Sequence, residues 1–137
     1  MNTATAQIIA RGTRRRRGVP QSYELYRVSM ADLEACWKRR AELPKYAKTY
    51  LKPGAEIIVG RRAQFEAFAE THDKIGAPWV LFVPYPHGLT VKFLDGRHRT
   101  AVLRDAGATH INVQTDAKSV KNAREAGVEL TPTERGD

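Results

Sequence analysis

The sequence predicts a compact α+β domain in which a small mixed sheet is flanked by helices. Short apolar segments with strand character alternate along the chain with segments whose apolar residues recur at helical spacing. Between Leu89 and Val113 a strand, a tight turn, a helix and a second strand follow one another directly. A chain of 137 residues suffices for one such domain with a modest core.

The first elements are a strand and a helix. "SYELYRV", from Ser22 to Val28, is rich in aromatic and branched residues and predicts a short strand. A helix is expected from about Met30 to Glu42, because Ser29 and Asp32 resemble a capping box. Pro44 ends this helix.

The later elements follow from apolar spacing and from Gly and Pro punctuation. They are a loop at 45–54, a brief strand in "EIIVG", a helix at 61–75, strands at 79–83 and 89–94 paired as a hairpin, a helix from about 97 to 106 ended by Gly107, a strand at 110–113 and a helix at 116–126. Arg61 and Arg62 open their helix against its dipole, so a bound anion or a nearby carboxylate is expected there.

Composition excludes several classes of protein. With 42% apolar and 28% charged residues, and with no apolar stretch long enough to span a bilayer, the chain is not expected to be a membrane protein. The one cysteine, Cys36, cannot form an intrachain disulfide or a Cys-type zinc site. A reducing cytoplasm is the natural location, and no residue is assigned to a protein-held metal.

The net charge of +8 is concentrated at one end. The first twenty residues carry five arginines and no acid, which leaves the other 117 residues at +3. We therefore divide the chain into a basic, disordered arm at 1–20, a domain at 21–128 and a tail at 129–137. Four arginines of the arm are candidate contacts to nucleic-acid phosphates, with a solvated tail as the equal alternative: Arg14, Arg15, Arg16 and Arg17.

The segment "LDGRHRT", from Leu94 to Thr100, lies between a predicted strand and a predicted helix. The start of a helix leaves backbone N–H groups unpaired and carries a partial positive charge. Gly96 allows a tight turn and the close approach of a ligand to the backbone. Arg97 and Arg99 add guanidinium groups that match phosphate oxygens, and Thr100 adds a hydroxyl. Together they predict an anion site.

His98 and Asp95 are the candidate catalytic residues of this segment. His98 could donate to a phosphate or carry a proton near neutral pH. Asp95 could cap the helix, hold an arginine or bind a hydrated magnesium ion. The residues alone leave a phosphate site and a solvated, capped turn equally open, because basic helix starts are common and one glycine is not a phosphate loop.

The motif resembles the ParB/sulfiredoxin superfamily, specifically its ParB-like N-terminal (ParB-like nuclease) domains. The resemblance rests on "FLDGRHRTA" from Phe93 to Ala101, followed by Leu103, Gly107 and "HINV", and it covers about Val91 to Val113. It implies a ParB/sulfiredoxin-like domain over 21–128 with a nucleotide site at the turn. Members that bind CTP, ATP or ADP hold the phosphates there, with magnesium as a possible companion, which implies the residues Gly96, Arg97, His98, Arg99 and Thr100.

Departures from the family pattern narrow the choice. Sulfiredoxin has a cysteine between the glycine and the histidine, where this chain has Arg97, and Cys36 lies on another predicted helix. Partition ParB proteins have a Gly-Glu-Arg-Arg-type box and further DNA-reading and dimerisation domains. The free-serine kinase branch needs a catalytic carboxylate, for which Asp32 or Glu56 could serve, and no motif supports either.

The sequence thus predicts a nucleotide-phosphate-binding domain that could act on or with DNA through its basic arm. One alternative is an enzyme, a magnesium-dependent phosphotransferase, NTPase or nuclease. The other is a plasmid or phage accessory binding protein without turnover. Turnover itself is left open.

Overall fold

The computed structural model describes residues 13–56, 59–71 and 75–133. Its helices are α1 (Met30–Ala41), a 3₁₀ turn (Pro44–Tyr46), α2 (Arg61–Thr71), α3 (Arg97–Asp105) and α4 (Ala117–Glu125). Its strands are β1 (Thr13–Arg14), β2 (Glu24–Ser29), β3 (Ile75–Gly76), β4 (Trp79–Tyr85), β5 (Gly88–Asp95), β6 (His110–Thr115) and β7 (Thr131–Pro132). No helix among these residues is long and apolar enough to cross a membrane.

A mixed five-stranded sheet with the order β5-β4-β6-β2-β7 organises the domain. β4 and β5 form the expected antiparallel hairpin, with Val83 opposite Thr90 and Tyr85 opposite Gly88. β6 pairs in parallel with β4 and antiparallel with β2. The predicted α+β class is confirmed, and the sheet order places the end of β5 beside the start of α3 at one edge.

The core lies where α1 packs on β5 and α4 packs on β4. Its largest fully buried side chains are Trp37, Phe82, Leu33, Leu130, Gln114, Val28, Val80, Val91 and Val113. α1 begins as predicted, because the Ser29 hydroxyl accepts a hydrogen bond from the Asp32 N–H at 3.1 Å. β5 is anchored to the core through Leu89 and Val91, and Asp95 lies at its far end.

Helix α2 is shorter than its apolar spacing suggested. It ends at Thr71, and Ile75, which was predicted to be helical, lies in β3 opposite Thr13 of β1. Tertiary pairing with the N-terminal segment overrides the local pattern here. The predicted strand in "EIIVG" falls partly on residues 57 and 58, which are outside the described residues.

Residues 13–20 of the predicted arm lie against the domain, while residues 1–12 are outside the described part. Val19 is buried, and Arg15 donates to the carbonyls of Tyr23 at 2.5 Å and Pro20 at 2.9 Å. These backbone acceptors, together with the pairing of β1 with β3, give the segment its place. The ordered domain therefore starts earlier than residue 21.

Candidate anion site at the start of helix α3

Gly96 makes the turn from β5 into α3 and has a left-handed backbone, with φ 93° and ψ 15°. A Cβ at this position would lie 2.9 Å from the Cα of Pro78 and 2.9 Å from Nη2 of Arg99. Only glycine fits both the backbone conformation and the space. The sequence prediction of a tight glycine turn is therefore confirmed, and its cause includes the close approach of Pro78, just before β4, as well as the dihedral angle.

The N-terminus of α3 has no side-chain cap. Gly96 is the N-cap residue, and the first turn contains no acidic residue. The first N–H groups of an α-helix have no intrahelical acceptor and carry the positive end of the helix dipole. The backbone of Arg97 and His98 thus starts a helix whose donors are not met by a capping side chain, a local arrangement suited to an anion.

Arg99 places a largely buried guanidinium beside this turn. Its Nε and Nη2 atoms are buried and have no hydrogen-bond partner among the residues that the structure describes. The carboxylate of Asp95 is 3.7 Å from Nη2, too far for a hydrogen bond. Burial, helped by the charge of Arg16, lowers the pKa of Arg99 to about 10, so the group stays cationic at neutral pH. A buried cation with unused donors is costly until an acceptor arrives.

Asp95 does not cap α3 but pairs with the N-terminal segment. Its Oδ2 forms an ion pair with Nη1 of Arg16, and Asp95 lies at the end of β5. Arg16 is further held by a 2.5 Å hydrogen bond from its backbone N–H to Oε1 of Gln114. Of the three roles considered for Asp95, the structure shows that of holding an arginine, and its catalytic role stays a prediction.

The four arginines predicted to contact nucleic acid differ in their contacts and in their exposure. Arg15 is engaged with backbone carbonyls and Arg16 with Asp95, whereas Arg17 is exposed. For Arg14 the structure describes the backbone strand only. Spacing in the sequence gave no sign that Arg16 lies beside the α3 turn, because their proximity depends on the pairing of β1 with β3.

His98 is partly buried and lines the cavity in front of the turn. Burial lowers its pKa, and the charges of Arg97 and Arg61 act in the same direction, while Glu56 opposes them. The imidazole is therefore neutral at pH 7, with one nitrogen able to donate and the other able to accept a proton. This protonation state suits either a phosphate contact or proton transfer.

Glu56 is the carboxylate expected near the basic start of α2. Its Oε1 accepts from the N–H of Gly60 at 2.9 Å, and its Oε2 accepts from the N–H of Arg62 at 3.0 Å. These two backbone hydrogen bonds lower the pKa of Glu56. The carboxylate thus caps α2, and the start of α3 is left as the uncapped one of the two.

Thr100 supports the turn from inside. Its side chain is fully buried, and its hydroxyl donates to the carbonyl of Gly96 at 2.9 Å, as does its backbone N–H at 3.0 Å. Thr100 is absent from the lining of the cavity. Both of its donors hold Gly96, and its contact with phosphate stays a prediction.

A cavity of about 540 Å³ opens in front of these residues, between α2, the end of β5 and the start of α3. Its lining includes the cations Arg61, Arg97 and Arg99 together with the apolar side chains of Phe68 and Leu94. Phe68 is 43% exposed and Leu94 is 37% exposed, so both present apolar surface to a ligand. The lining thus combines positive charge with apolar surface within one opening.

Comparison with known proteins gives a fold relative but no family. No family model matches the chain, and no curated protein matches it significantly. Among solved structures, the chain is similar to the Oncogenic Suppression Activity Protein, a plasmid fertility inhibition factor, in its gold(I) cyanide derivative. The TM-score is 0.68 at 15% identity, over 87% of this chain and 64% of that protein. At this identity the likeness establishes the fold, and we conclude that the chain has the α+β architecture of that protein's matching part.

Proposed function

We propose that the start of α3 binds the phosphate groups of a nucleotide. The observation that carries the proposal is Arg99, whose buried Nε and Nη2 atoms have no acceptor among the described residues. A phosphate in front of Gly96 would supply acceptors both to this guanidinium and to the uncapped backbone of the helix start. His98 and Arg97 line the same cavity, and Arg97 adds positive charge.

The shape of the cavity supports a nucleotide rather than a bare phosphate ion. Its volume of about 540 Å³ lies within the usual range for small-molecule sites, roughly 300–1,000 Å³. Phe68 and Leu94 offer apolar surface against which a base could pack, while the arginines take the phosphates. The resemblance of "DGRHRTA" to ParB-like domains agrees with phosphates bound at this turn. ATP, ADP and CTP are therefore the nucleotides to test first.

Magnesium would bind together with the phosphates of the nucleotide and not to the protein alone. Asp95 is the acidic residue among the described residues lining the cavity, and Arg16 already occupies one of its oxygens. Oxygen ligands from the nucleotide would therefore have to complete any coordination shell. His98 and Asp95 remain the candidates for proton transfer if turnover occurs, so binding is the function proposed and turnover is an outcome to measure.

The proposal is tested by following the melting temperature during titration with CTP, ATP, ADP and GTP, with and without magnesium. We expect at least one nucleotide to raise the melting temperature of the native chain. Arg99→Gln should weaken that binding at least tenfold, since hydrogen bonds to charged groups contribute about 1.5–3 kcal/mol. Arg27→Gln, which removes an exposed arginine of β2, is the charge-matched control and should bind as the native chain does.

Two results would count against the proposal. One is that no nucleotide raises the melting temperature of the native chain. The other is that Arg99→Gln and Arg27→Gln weaken binding equally, which would mean that the net positive charge alone attracts the nucleotide. Release of inorganic phosphate in the same samples would separate an NTPase from a binding protein.

A second candidate is a plasmid accessory protein that binds DNA. The observation favouring it is the likeness in fold to a plasmid fertility inhibition factor, together with the exposed Arg17 beside an arginine-rich start. DNA affinity should then fall steeply as salt rises and should drop on removal of residues 1–12 or in Arg17→Gln. Nicking of a plasmid would add nuclease activity, whereas salt-insensitive or absent DNA binding would reject this candidate.

A further inference from the structure

A second, smaller cavity lies on the other side of Arg97. Its volume is about 180 Å³, and it is enclosed by α1, the 3₁₀ turn, β5 and the start of α3. Three of its lining residues are cationic, namely Arg40, Lys92 and Arg97, and no carboxylate belongs to its described lining. The cavity is therefore positively charged without an internal counterion.

Arg40 is the unusual member of this set, because it is only 4% exposed. A buried arginine is normally paired with a carboxylate. The ion pairs found among the described residues do not include Arg40. Its one recorded hydrogen bond, from Nη1 to Oγ1 of Thr90, is long at 3.5 Å. The guanidinium charge is thus compensated weakly by its surroundings.

Aromatic stacking holds the Arg40 guanidinium in place. Its Cζ lies 3.8 Å from the centroid of the Tyr46 ring and 5.9 Å from that of Tyr85. A guanidinium on the face of a ring keeps its N–H donors in its own plane, where they can still meet an acceptor. The stacking therefore fixes the direction of the donors without using them.

The phenol of Tyr46 lies in the same positive surroundings. A hydrogen bond with Tyr85 is the largest cause that lowers its pKa. Burial acts in the opposite direction, and the charges of Lys45, Arg40 and Lys92 lower the pKa further. Lys92, on an exposed position of β5, is close enough to contribute to this effect. Tyr46 on the 3₁₀ turn, Arg40 on α1 and Lys92 on β5 thus converge from three different elements of the fold.

We propose that this cavity is a second oxyanion subsite that takes a phosphate group, with Arg40, Lys92 and Arg97 as its cationic ligands and Tyr46 at its edge. Arg97 and Phe93 line both cavities, so this subsite is adjacent to the α3 site. The subsite stands on its own residues and does not depend on nucleotide binding at Arg99. Its phosphate is either the free ion or one that belongs to a ligand also held at α3.

The test is a titration with inorganic phosphate at constant ionic strength, followed through backbone amide shifts in two-dimensional NMR. We expect saturable shifts at Thr49, Val91 and Phe93, which line the cavity. Lys92→Gln should weaken this binding about tenfold, as expected for loss of one charged ligand. Lys92 is exposed, so the variant should fold normally.

Lys45→Gln is the matched control, because Lys45 lies 5.7 Å from the Tyr46 ring centroid but does not line the cavity. It should bind phosphate as the native chain does, and Arg99→Gln should also retain the Thr49 and Val91 shifts. Absence of saturable shifts, equal weakening by Lys92→Gln and Lys45→Gln, or shifts confined to 96–99 would each overturn the proposal. Because Arg99→Gln should weaken nucleotide binding but not this response, failure of one proposal is distinguishable from failure of the other.

A nucleotide titration identifies the source of the phosphate. If a nucleotide competes with inorganic phosphate at Thr49 and Val91 in the native chain but not in Arg99→Gln, the phosphate comes from the ligand held at α3. If phosphate and nucleotide bind together without competition, the free ion is the ligand. Either result requires that the subsite exists, and the preceding titration decides that point.

Discussion

Substitution of Gly96 by alanine should destabilise the α3 turn for two reasons, one conformational and one steric. The first is conformational, since φ is 93°, a region in which a residue with a Cβ is destabilised by about 1–2 kcal/mol. The second is steric, since the new Cβ would lie 2.9 Å from the Cα of Pro78, a backbone atom that cannot rotate away. Overpacking of this kind costs about 1–3 kcal/mol, so Gly96→Ala should lose about 2–5 kcal/mol in total.

Gly107 supplies the matched control. It has the same φ of 93°, and a Cβ built there would have nothing within 4 Å. Gly107→Ala should therefore lose only the conformational part, about 1–2 kcal/mol. Urea denaturation followed by circular dichroism measures both variants against the native chain. The difference between them is the steric contribution of the contacts with Pro78 and Arg99.

The two variants should also differ in ligand binding. The Cβ at Gly96 would lie 2.9 Å from Nη2 of Arg99 and so displace the guanidinium that we assign to phosphate. Gly96→Ala should weaken nucleotide binding at temperatures where it is still folded, and Gly107→Ala should not. Equal losses of stability in the two variants would refute the steric reasoning, and an unchanged Gly96→Ala would refute the left-handed turn itself.

Three further predictions concern titratable groups. The imidazole of His98 should titrate below 6.5 in an NMR pH series, because burial and then Arg97 and Arg61 lower its pKa. As the pH falls, the unfolded chain takes up this proton before the folded chain does. The contribution of His98 to stability is therefore present above pH 6.5 and is lost as the pH falls. Added nucleotide should raise the pH midpoint of the His98 titration. Cys36 should resist thiol reagents at pH 8 until the chain is unfolded, because burial raises its pKa to about 11; rapid labelling of the native chain would contradict its place in the core. Glu56→Ala should lower the urea midpoint more than Glu129→Ala, since it removes two acceptors from the start of α2 and Glu129 is exposed; equal midpoints would show that the cap does not stabilise the fold.

Elements with strong local signals could be predicted from the sequence. Helix α1 is set by the capping interaction of Ser29, and the β4–β5 hairpin by two apolar runs around a Pro-containing turn. The turn at Gly96 likewise carries its own signal, a glycine between a strand pattern and a helix pattern. These features depend on neighbours in the chain, which is why single-sequence reasoning reaches them.

Other features depend on tertiary contacts and carry no local signal. β1, β3 and β7 are two residues long each, and they exist because of the strands beside them. Arg104 has the sequence position of an ordinary surface charge on its helix. Its side chain is 8% exposed, lies 3.0 Å from Glu34 and stands 5.6 Å from the ring of Trp37. Helical spacing cannot reveal this, because the partner residues belong to α1.

The distribution of charge explains why we propose anion binding at α3 rather than over the surface of the domain in general. The net charge of +8 falls to +3 without the five arginines of the first twenty residues, so the body of the domain is only mildly basic. The cavity at α3 nevertheless gathers Arg61, Arg97 and Arg99 against the single carboxylate of Asp95 in its described lining. That carboxylate is itself paired with Arg16, brought in by the N-terminal segment. Positive charge is thus left largely uncompensated at the α3 opening, as it is in the smaller cavity lined by Arg40 and Lys92, and the oxyanion that we propose would relieve this imbalance.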